Sequence, residues 1–113
     1  MGVKKGIRVY ELTKDIYSLR QEECTVAEYY ALLKSKWEDL DYYSPNNWKC
    51  PEDQALHWQH AWHNRVFVFL ARLNDEFENV RAQILNSEAT DNIEEVYARV
   101  ESDEKRRHVM QCG

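Results

Sequence analysis

Residues 25–41, TVAEYYALLKSKWEDLD, decide the fold that we predict for this chain. Thr25 and Glu28 have the spacing of a capping box, in which the threonine side chain accepts from a first-turn amide and the glutamate reaches back to the amide of residue 25. Beyond this start, apolar residues recur at steps of three and four along one helix face: Val26, Tyr29, Tyr30, Leu33, Trp37 and Leu40. The stretch therefore predicts an amphipathic helix with one buried face.

A first helix is expected before this stretch and a third helix after it. The residues around Pro45 form a loop, because the residue before a proline is pushed out of the α-helical region. Pro51 and the two carboxylates after it suit a first helical turn, so the third helix is expected from residue 51 to about residue 73. The first helix covers about residues 5–21, with apolar residues at helical spacing: Ile7, Tyr10, Leu12, Ile16 and Leu19.

Two shorter patterns complete a compact bundle of about five helices. A fourth helix is expected to end near residues 86–87, and a fifth to begin at a cap made by Asp91 or Asn92. The basic residues 105–107 close the fifth helix with the sign of charge favoured at a helix C-terminus. The residues expected in the core are Val26, Tyr29, Leu33, Trp37, Leu40, Val66, Phe69, Leu70, Leu73, Val80, Ile84, Val96 and Val100.

Composition supports this all-α class and bounds the function. The chain has 113 residues, 3 glycines, 2 prolines and 43% hydrophobic residues, which fits one helix-rich domain. Its net charge of −5 disfavours a dedicated nucleic-acid module, since phosphate binding needs a basic surface. Three cysteines without secretory context favour reduced thiols and a cytoplasmic location. No window approaches about 18 apolar residues, so no membrane partner is expected.

Trp58 and Trp62, four residues apart, lie on one face of the third helix. Leu56, Ala61 and the core residues from Val66 onward already supply inward side chains. The two tryptophans therefore leave two interpretations open, a broad buried face or an exposed patch for self-association. Under the second, the adjoining loop is expected to add a rim from Tyr42, Tyr43 and Trp48.

The same helix carries His57, His60 and His63, and Cys50 precedes it. These residue types bind zinc, but at 100° per residue His57 and His63 are separated by about 240°, so one ion cannot easily collect all three. We therefore expect no metal site and interpret the histidines as solvent or interface residues. No Ser-His-Asp order, glycine-rich phosphate loop or nucleophile elbow is present in the sequence, so neither enzymatic activity nor a cofactor is expected.

A series of ordered sequence blocks spans nearly the whole chain. The blocks are Gln21, TVAEYY at 25–30, KWEDL at 36–40, NWKCPED at 47–53, FLARLN at 69–74, VRAQIL at 80–85, IEEVY at 93–97 and EKRR at 104–107. In this order they resemble the Gag capsid region of copia-type LTR retrotransposons, in a plant-like form. A fainter echo of the major homology region of retroviral capsids, without its usual arginine, is carried by Gln21, Val26, Tyr29 and Leu33.

The resemblance implies a retroviral capsid C-terminal-domain-like fold over residues 25–110. Residues 1–24 would then be an N-terminal or connector helix, and residues 111–113 a tail. The implied function is a structural capsid module that self-associates, as a dimer or a higher assembly, to build a virus-like particle with other Gag regions. In related capsid domains the helix corresponding to the third mediates dimers, which favours Trp58 and Trp62 as the contact.

An alternative remains open beside the capsid module. A host-domesticated Gag-derived domain, such as an adaptor or integrated sensor domain, would bind a heterologous protein through the same aromatic face. Three departures from the family pattern are compatible with it: Arg72 replaces a frequent glycine, the usual proline near Asp91 is absent, and residues 57–63 carry the aromatic and histidine cluster. Since Cys112 is the one cysteine after Cys50, direct nucleic-acid binding through a zinc knuckle is not expected.

Overall fold

A computed structural model describes residues 5–43, 51–87 and 92–112, without the side chains of residues 5, 51, 53, 54, 57, 58 and 110–112. These ranges contain five α-helices and no strand, which confirms the predicted all-α class for the described part of the chain. The helices are α1 (Lys5–Ser18), α2 (Val26–Tyr42), α3 (Pro51–Ala71), α4 (Glu78–Asn86) and α5 (Ile93–Cys112). A turn of 3-10 helix, Asp75–Phe77, immediately precedes α4.

Helix α2 starts at the capping box. The amide of Glu28 donates to the Thr25 hydroxyl at 3.1 Å, and the amide of Thr25 donates to the Glu28 carboxylate at 3.0 Å. Because both hydrogen bonds satisfy amides that the helix cannot satisfy internally, they fix where α2 begins. The hydrogen bond from the Thr25 backbone also lowers the pKa of Glu28, since it favours the ionised carboxylate.

The core lies where α2 crosses α3 and α5. Tyr29 stacks on Phe69, with ring centroids 5.5 Å apart, and its hydroxyl donates to the Phe69 carbonyl at 3.1 Å. Burial raises the pKa of Tyr29, against the lowering effect of nearby arginine charges. Of the residues expected in the core, Leu40 is only partly buried; the structure buries Val26, Tyr29, Leu33, Trp37, Val66, Phe69, Leu70, Leu73, Val80, Ile84, Val96 and Val100.

Helix α1 packs along α2 through its second half. Leu12 and Ile16 are 0% and 3% exposed, and Asp15 forms an ion pair with Lys36 of α2 at 3.4 Å. The helix ends at Ser18 rather than at residue 21. Ile7 and Tyr10, which the spacing assigned to the apolar face, are exposed, because they point away from the side of α1 that carries Leu12 and Ile16.

Helix α5 contacts α2, α3, α4 and the 3-10 turn. The Asn92 side chain accepts from the amides of Glu94 and Glu95 at 3.0 and 3.3 Å, so Asn92 acts as a cap, while Asp91 lies outside the described residues. Farther along, Glu104 accepts from the amide of Val26 at 3.1 Å and so joins α5 to the start of α2.

The end of α5 differs from the expectation. Two ion pairs form along its last turns, Glu101 with Lys105 at 3.6 Å and Asp103 with Arg107 at 3.0 Å. The helix nevertheless continues to Cys112, through two of the three residues expected to form a tail. Basic residues stabilise a helix end but do not stop the helix, and no glycine or proline occurs between Arg107 and Cys112.

Gln21 joins the turn between α1 and α2 to the end of α3. Its side chain is 2% exposed, yet its amide group donates to the Cys24 carbonyl at 3.0 Å and accepts from the amide of Asn74 at 3.1 Å. Its backbone amide donates to the Arg72 carbonyl at 3.1 Å. The Asn74 side chain returns a bond to the carbonyl of Glu22 at 2.7 Å. The two turns are therefore held side by side.

Candidate self-association surface

Helix α3 is buried along its second half and exposed along its first. In the first half, every described side chain from residue 52 to residue 60 is exposed: Glu52, Ala55, Leu56, Gln59 and His60. In the second half, Val66, Phe69 and Leu70 are at most 1% exposed. A helical segment of this length without packing is marginal in water, because tertiary contacts supply most of the stability of a helix. The first half of α3 therefore presents a surface that suits a partner.

The exposed and buried residues belong to one continuous stripe. At 100° per residue, Val66 and Leu70 fall in the same sector, about 120° wide, as Ala55, Leu56 and Trp62. Leu56 is 55% exposed and Trp62 is 43% exposed. The expectation that Leu56 points inward is therefore wrong: the helical period predicts the face of a residue, but not the point at which the helix leaves the bundle.

Trp62 lies at the transition between the two halves of α3. Its side chain borders a groove of about 170 Å³ between α2, α3 and the start of α5, together with Tyr30, Trp37 and Ile93. Lys34, Glu38, Arg65 and Glu94 supply the charges of this groove. Burial, together with the Glu94 charge, raises the pKa of Tyr30. The groove gives Trp62 one packed side and leaves the other side to solvent.

The junction of α2 and α3 fixes the direction in which the first half of α3 projects. The Arg65 guanidinium lies over the Trp37 ring, 5.5 Å from its centroid, and is paired with Asp41. One residue earlier on α3, Asn64 accepts from the hydroxyl of Tyr17 on α1 at 3.3 Å. Contacts to two helices therefore anchor α3 just after Trp62.

The other residues predicted for the contact are only partly within the described structure. Tyr42 is 83% exposed at the end of α2 and meets Tyr43 edge to face, with centroids 5.2 Å apart. Trp48 and the side chain of Trp58 lie outside the described residues. Among the described contacts, none joins either tyrosine to Trp62. The structure thus gives Tyr42 and Trp62 as exposed aromatics without bringing them together.

The histidines of α3 show no assembled metal site in the part of the chain that the structure describes. His60 is exposed and His63 is half-buried, whereas the side chain of His57 and the whole of Cys50 lie outside that part. No group of three or more His, Cys, Asp or Glu residues able to hold an ion occurs among the described side chains. In the same ranges, no helix is long and apolar enough to cross a membrane.

Some exposed apolar residues were not anticipated. Phe67, on the second half of α3, is 51% exposed although the residues around it are buried. On α1, Tyr17 is 45% exposed on the face that also carries Ile7 and Tyr10. For Phe67 the sequence signal was the unbroken apolar run at 66–70, because consecutive residues point to all sides of a helix and some of them must face solvent.

Comparison with known proteins does not assign this arrangement. No family model, curated protein or solved structure matches the chain.

Proposed function

We propose that the chain is a structural capsid module of a copia-type Gag protein, with a retroviral capsid C-terminal-domain-like fold, which self-associates to build a virus-like particle. The resemblance of ordered sequence blocks supports the family, and the all-α fold is compatible with it. The observation that carries the self-association is the stripe of α3, which is buried at Val66 and Leu70 and exposed at Leu56 and Trp62. A second copy of the chain is proposed to pack against the exposed part of this stripe.

A two-fold pair is the simplest arrangement for such a surface. In an isologous contact the same patch serves both copies, so one stripe on α3 suffices. An antiparallel pair centred on Gln59 would place Leu56 of one copy opposite Trp62 of the other. The contact would bury apolar side chains, and weak repeated contacts of this kind suit assembly, because multivalency multiplies modest affinities.

Sedimentation across a wide protein concentration range tests the proposal. The parent chain should form dimers or larger species, and Leu56→Glu should shift it to monomer, because the substitution places a charge in the contact. Leu85→Glu on α4 is the matched control, since Leu85 is an exposed leucine outside the stripe, at 45%. Self-association that is equally lost in both variants, or unchanged in Leu56→Glu, would refute the α3 contact.

The alternative, a host-domesticated binding module, is favoured by the groove beside Trp62. Its charged rim, from Lys34, Glu38 and Arg65, would suit a heterologous peptide of mixed charge. A parent chain that stays monomeric at every concentration would favour this module over the capsid. Trp62→Ala should then weaken binding of the heterologous protein without changing the sedimentation of the chain.

A further inference from the structure

The turn between α1 and α2 and the end of α3 enclose an open cleft of about 310 Å³, here called the arginine cleft. Its polar lining consists of Arg20, Glu22, Arg72, Asn74, Asp75 and Arg81. The hydrogen bonds of Gln21 and Asn74 hold the two sides of the cleft together.

Arg81 also lines the cleft, and most of its side chain is buried. One of its terminal nitrogens donates to the carbonyls of Leu73 and Asn74, both at 3.1 Å. Glu78 lies 3.6 Å from the other terminal nitrogen. The Nε of Arg81 is buried and has no hydrogen-bond partner among the described residues. Arg81 thus brings to the cleft a positive charge that Glu78 partly balances.

Arg20 and Arg72 carry the charges that remain available to bind a ligand. Neither forms an ion pair within the described ranges, whereas Arg8, Arg65, Arg106 and others do. The charges of Arg72 and Arg81 also act to lower the pKa of the buried Tyr29, against the larger raising effect of burial. Two guanidiniums without an ion-pair partner among the described residues, beside a third, favour an anion between them, although the carboxylates of Glu22 and Asp75 line the same cleft.

We propose that the arginine cleft binds a compact anion with two adjacent phosphoryl groups, held by Arg20 and Arg72. Guanidinium groups form paired hydrogen bonds with phosphate oxygens, and two such groups match two phosphoryl groups. The carboxylates of Glu22 and Asp75 also line the cleft. They oppose the binding of any anion, so an anion that engages both guanidiniums at once is held better than one that engages a single arginine. The proposal does not depend on self-association.

A competing explanation assigns the arginines to the helix ends. Arg20 follows the end of α1 and Arg72 follows the end of α3, where a positive charge complements the partial negative charge of the last carbonyls. That role predicts lower stability without Arg20 and Arg72 but no anion binding. A measurement of anion binding therefore distinguishes the two explanations.

Calorimetric titration of the full chain with pyrophosphate at low salt is the test. We expect binding that weakens as salt is added. Arg20→Gln with Arg72→Gln should reduce the affinity by about tenfold or more, because charge-assisted hydrogen bonds are lost. Arg99→Gln, on α5 in a different groove, is the matched control and should bind as the parent does.

Glu22→Gln keeps the test informative if the arginine variants fold poorly. The Glu22 side chain lines the cleft, and its removal should raise the affinity for pyrophosphate roughly threefold by removing a repulsive charge. A misfolded variant cannot produce this gain. Absence of binding in the parent, or equal affinity in the double arginine variant and the Arg99→Gln control, would overturn the proposal.

A parallel titration with adenosine diphosphate separates two sources of the phosphoryl groups. Equal affinity for pyrophosphate and the nucleotide would support a site for the free anion. Tighter binding of the nucleotide would support a site that also contacts the nucleoside. Failure of both ligands to bind would leave the arginines with their helix-end role and overturn the proposal.

Discussion

Gln21 shows how one buried polar side chain can determine the arrangement of two distant turns. All of its polar groups have partners: Cys24 on its own turn, and Arg72 and Asn74 at the end of α3. The sequence marked Gln21 only through the resemblance, because its partners at residues 72–74 are far away in the chain. Its burial could not be predicted from local periodicity, which assigns polar residues to solvent.

Replacement of Gln21 by alanine is expected to lower the free energy of unfolding by roughly 2–3 kcal/mol. The substitution removes two hydrogen bonds and leaves the partly buried amide of Asn74 without its acceptor. Urea denaturation followed by circular dichroism measures the change. Gln83→Ala, at an exposed position of α4, is the control and should change stability by less than about 0.5 kcal/mol. Equal effects at both positions would contradict a stabilising role for Gln21.

Tyr97 is one of the tyrosines whose ionisation should make the stability depend on alkaline pH. Its hydroxyl donates to the Glu101 carboxylate at 2.6 Å, and this bond raises the pKa of Tyr97 to about 12. A raised pKa means that the stabilising bond is fully present below the ordinary tyrosine pKa of 10.0 and is lost as the pH rises through about 12. The chain should therefore lose stability between these two pH values.

Tyr97→Phe should make the loss of stability between pH 10 and pH 12 less steep. At neutral pH the variant should be less stable by about 1 kcal/mol, because the hydrogen bond is absent. Denaturation at several pH values measures both effects. Tyr10→Phe is the control, since Tyr10 is 67% exposed. If the stability of the variant falls between pH 10 and pH 12 as steeply as that of the parent, Tyr97 does not contribute to the alkaline loss of stability.

At the scale of the helices, the sequence predicted where a helix starts better than where it ends. It also predicted which face of a helix is apolar better than what that face contacts. The start of α2 was predictable because Thr25 and Glu28 act within a single turn. The end of α5 was not, because a basic run at 105–107 favours a helix end without terminating it. Leu56 shows a further limit: its place on the α3 stripe followed from periodicity, whereas its exposure depends on how far α2 and α5 extend.

Thr25→Ala should reduce the free energy of unfolding by about 1 kcal/mol, because the amide of Glu28 loses its acceptor at the start of α2. Thermal and urea denaturation measure this change. Ser35→Ala, at an exposed position in the middle of α2, is the control and should be neutral or slightly stabilising, since alanine is the better helix former. Destabilisation by Ser35→Ala of the same size would argue against a specific effect of the cap.

The capping box should also give α2 a dependence on acid pH. Hydrogen bonds from Thr25 lower the pKa of Glu28 in the folded chain. The ionised Glu28 therefore stabilises the fold fully above the ordinary carboxyl pKa of 4.5, and this stabilisation is lost as the pH falls through the lowered pKa. Glu28→Gln should remove this part of the acid-induced loss. Stability measured from neutral to acid pH checks the prediction, and an unchanged acid slope in the variant would contradict it.

At the scale of the molecule, the helices form a flat body with principal extents of 55 × 33 × 15 Å. A body only 15 Å thick has a shallow core, so the loss of one helix exposes much of it. Helix α1 illustrates this, because Leu12 and Ile16 are buried and Ile16 shares the core with Val26 and Trp37. Burial of this kind favours α1 as an integral part of the bundle over a connector that merely precedes it.

Deletion of residues 1–19 tests this distinction while it leaves Gln21 in place. Leu12 and Ile16 each contribute roughly 1.5–3 kcal/mol through burial, so the shortened chain should lose about 3–6 kcal/mol of stability or fail to fold. Denaturation at low protein concentration avoids association through the newly exposed face. Deletion of residues 108–113 is the control, because His108 and Val109 are exposed, and it should have a much smaller effect. If the chain without residues 1–19 keeps the stability of the parent, α1 is a connector and the bundle begins with α2.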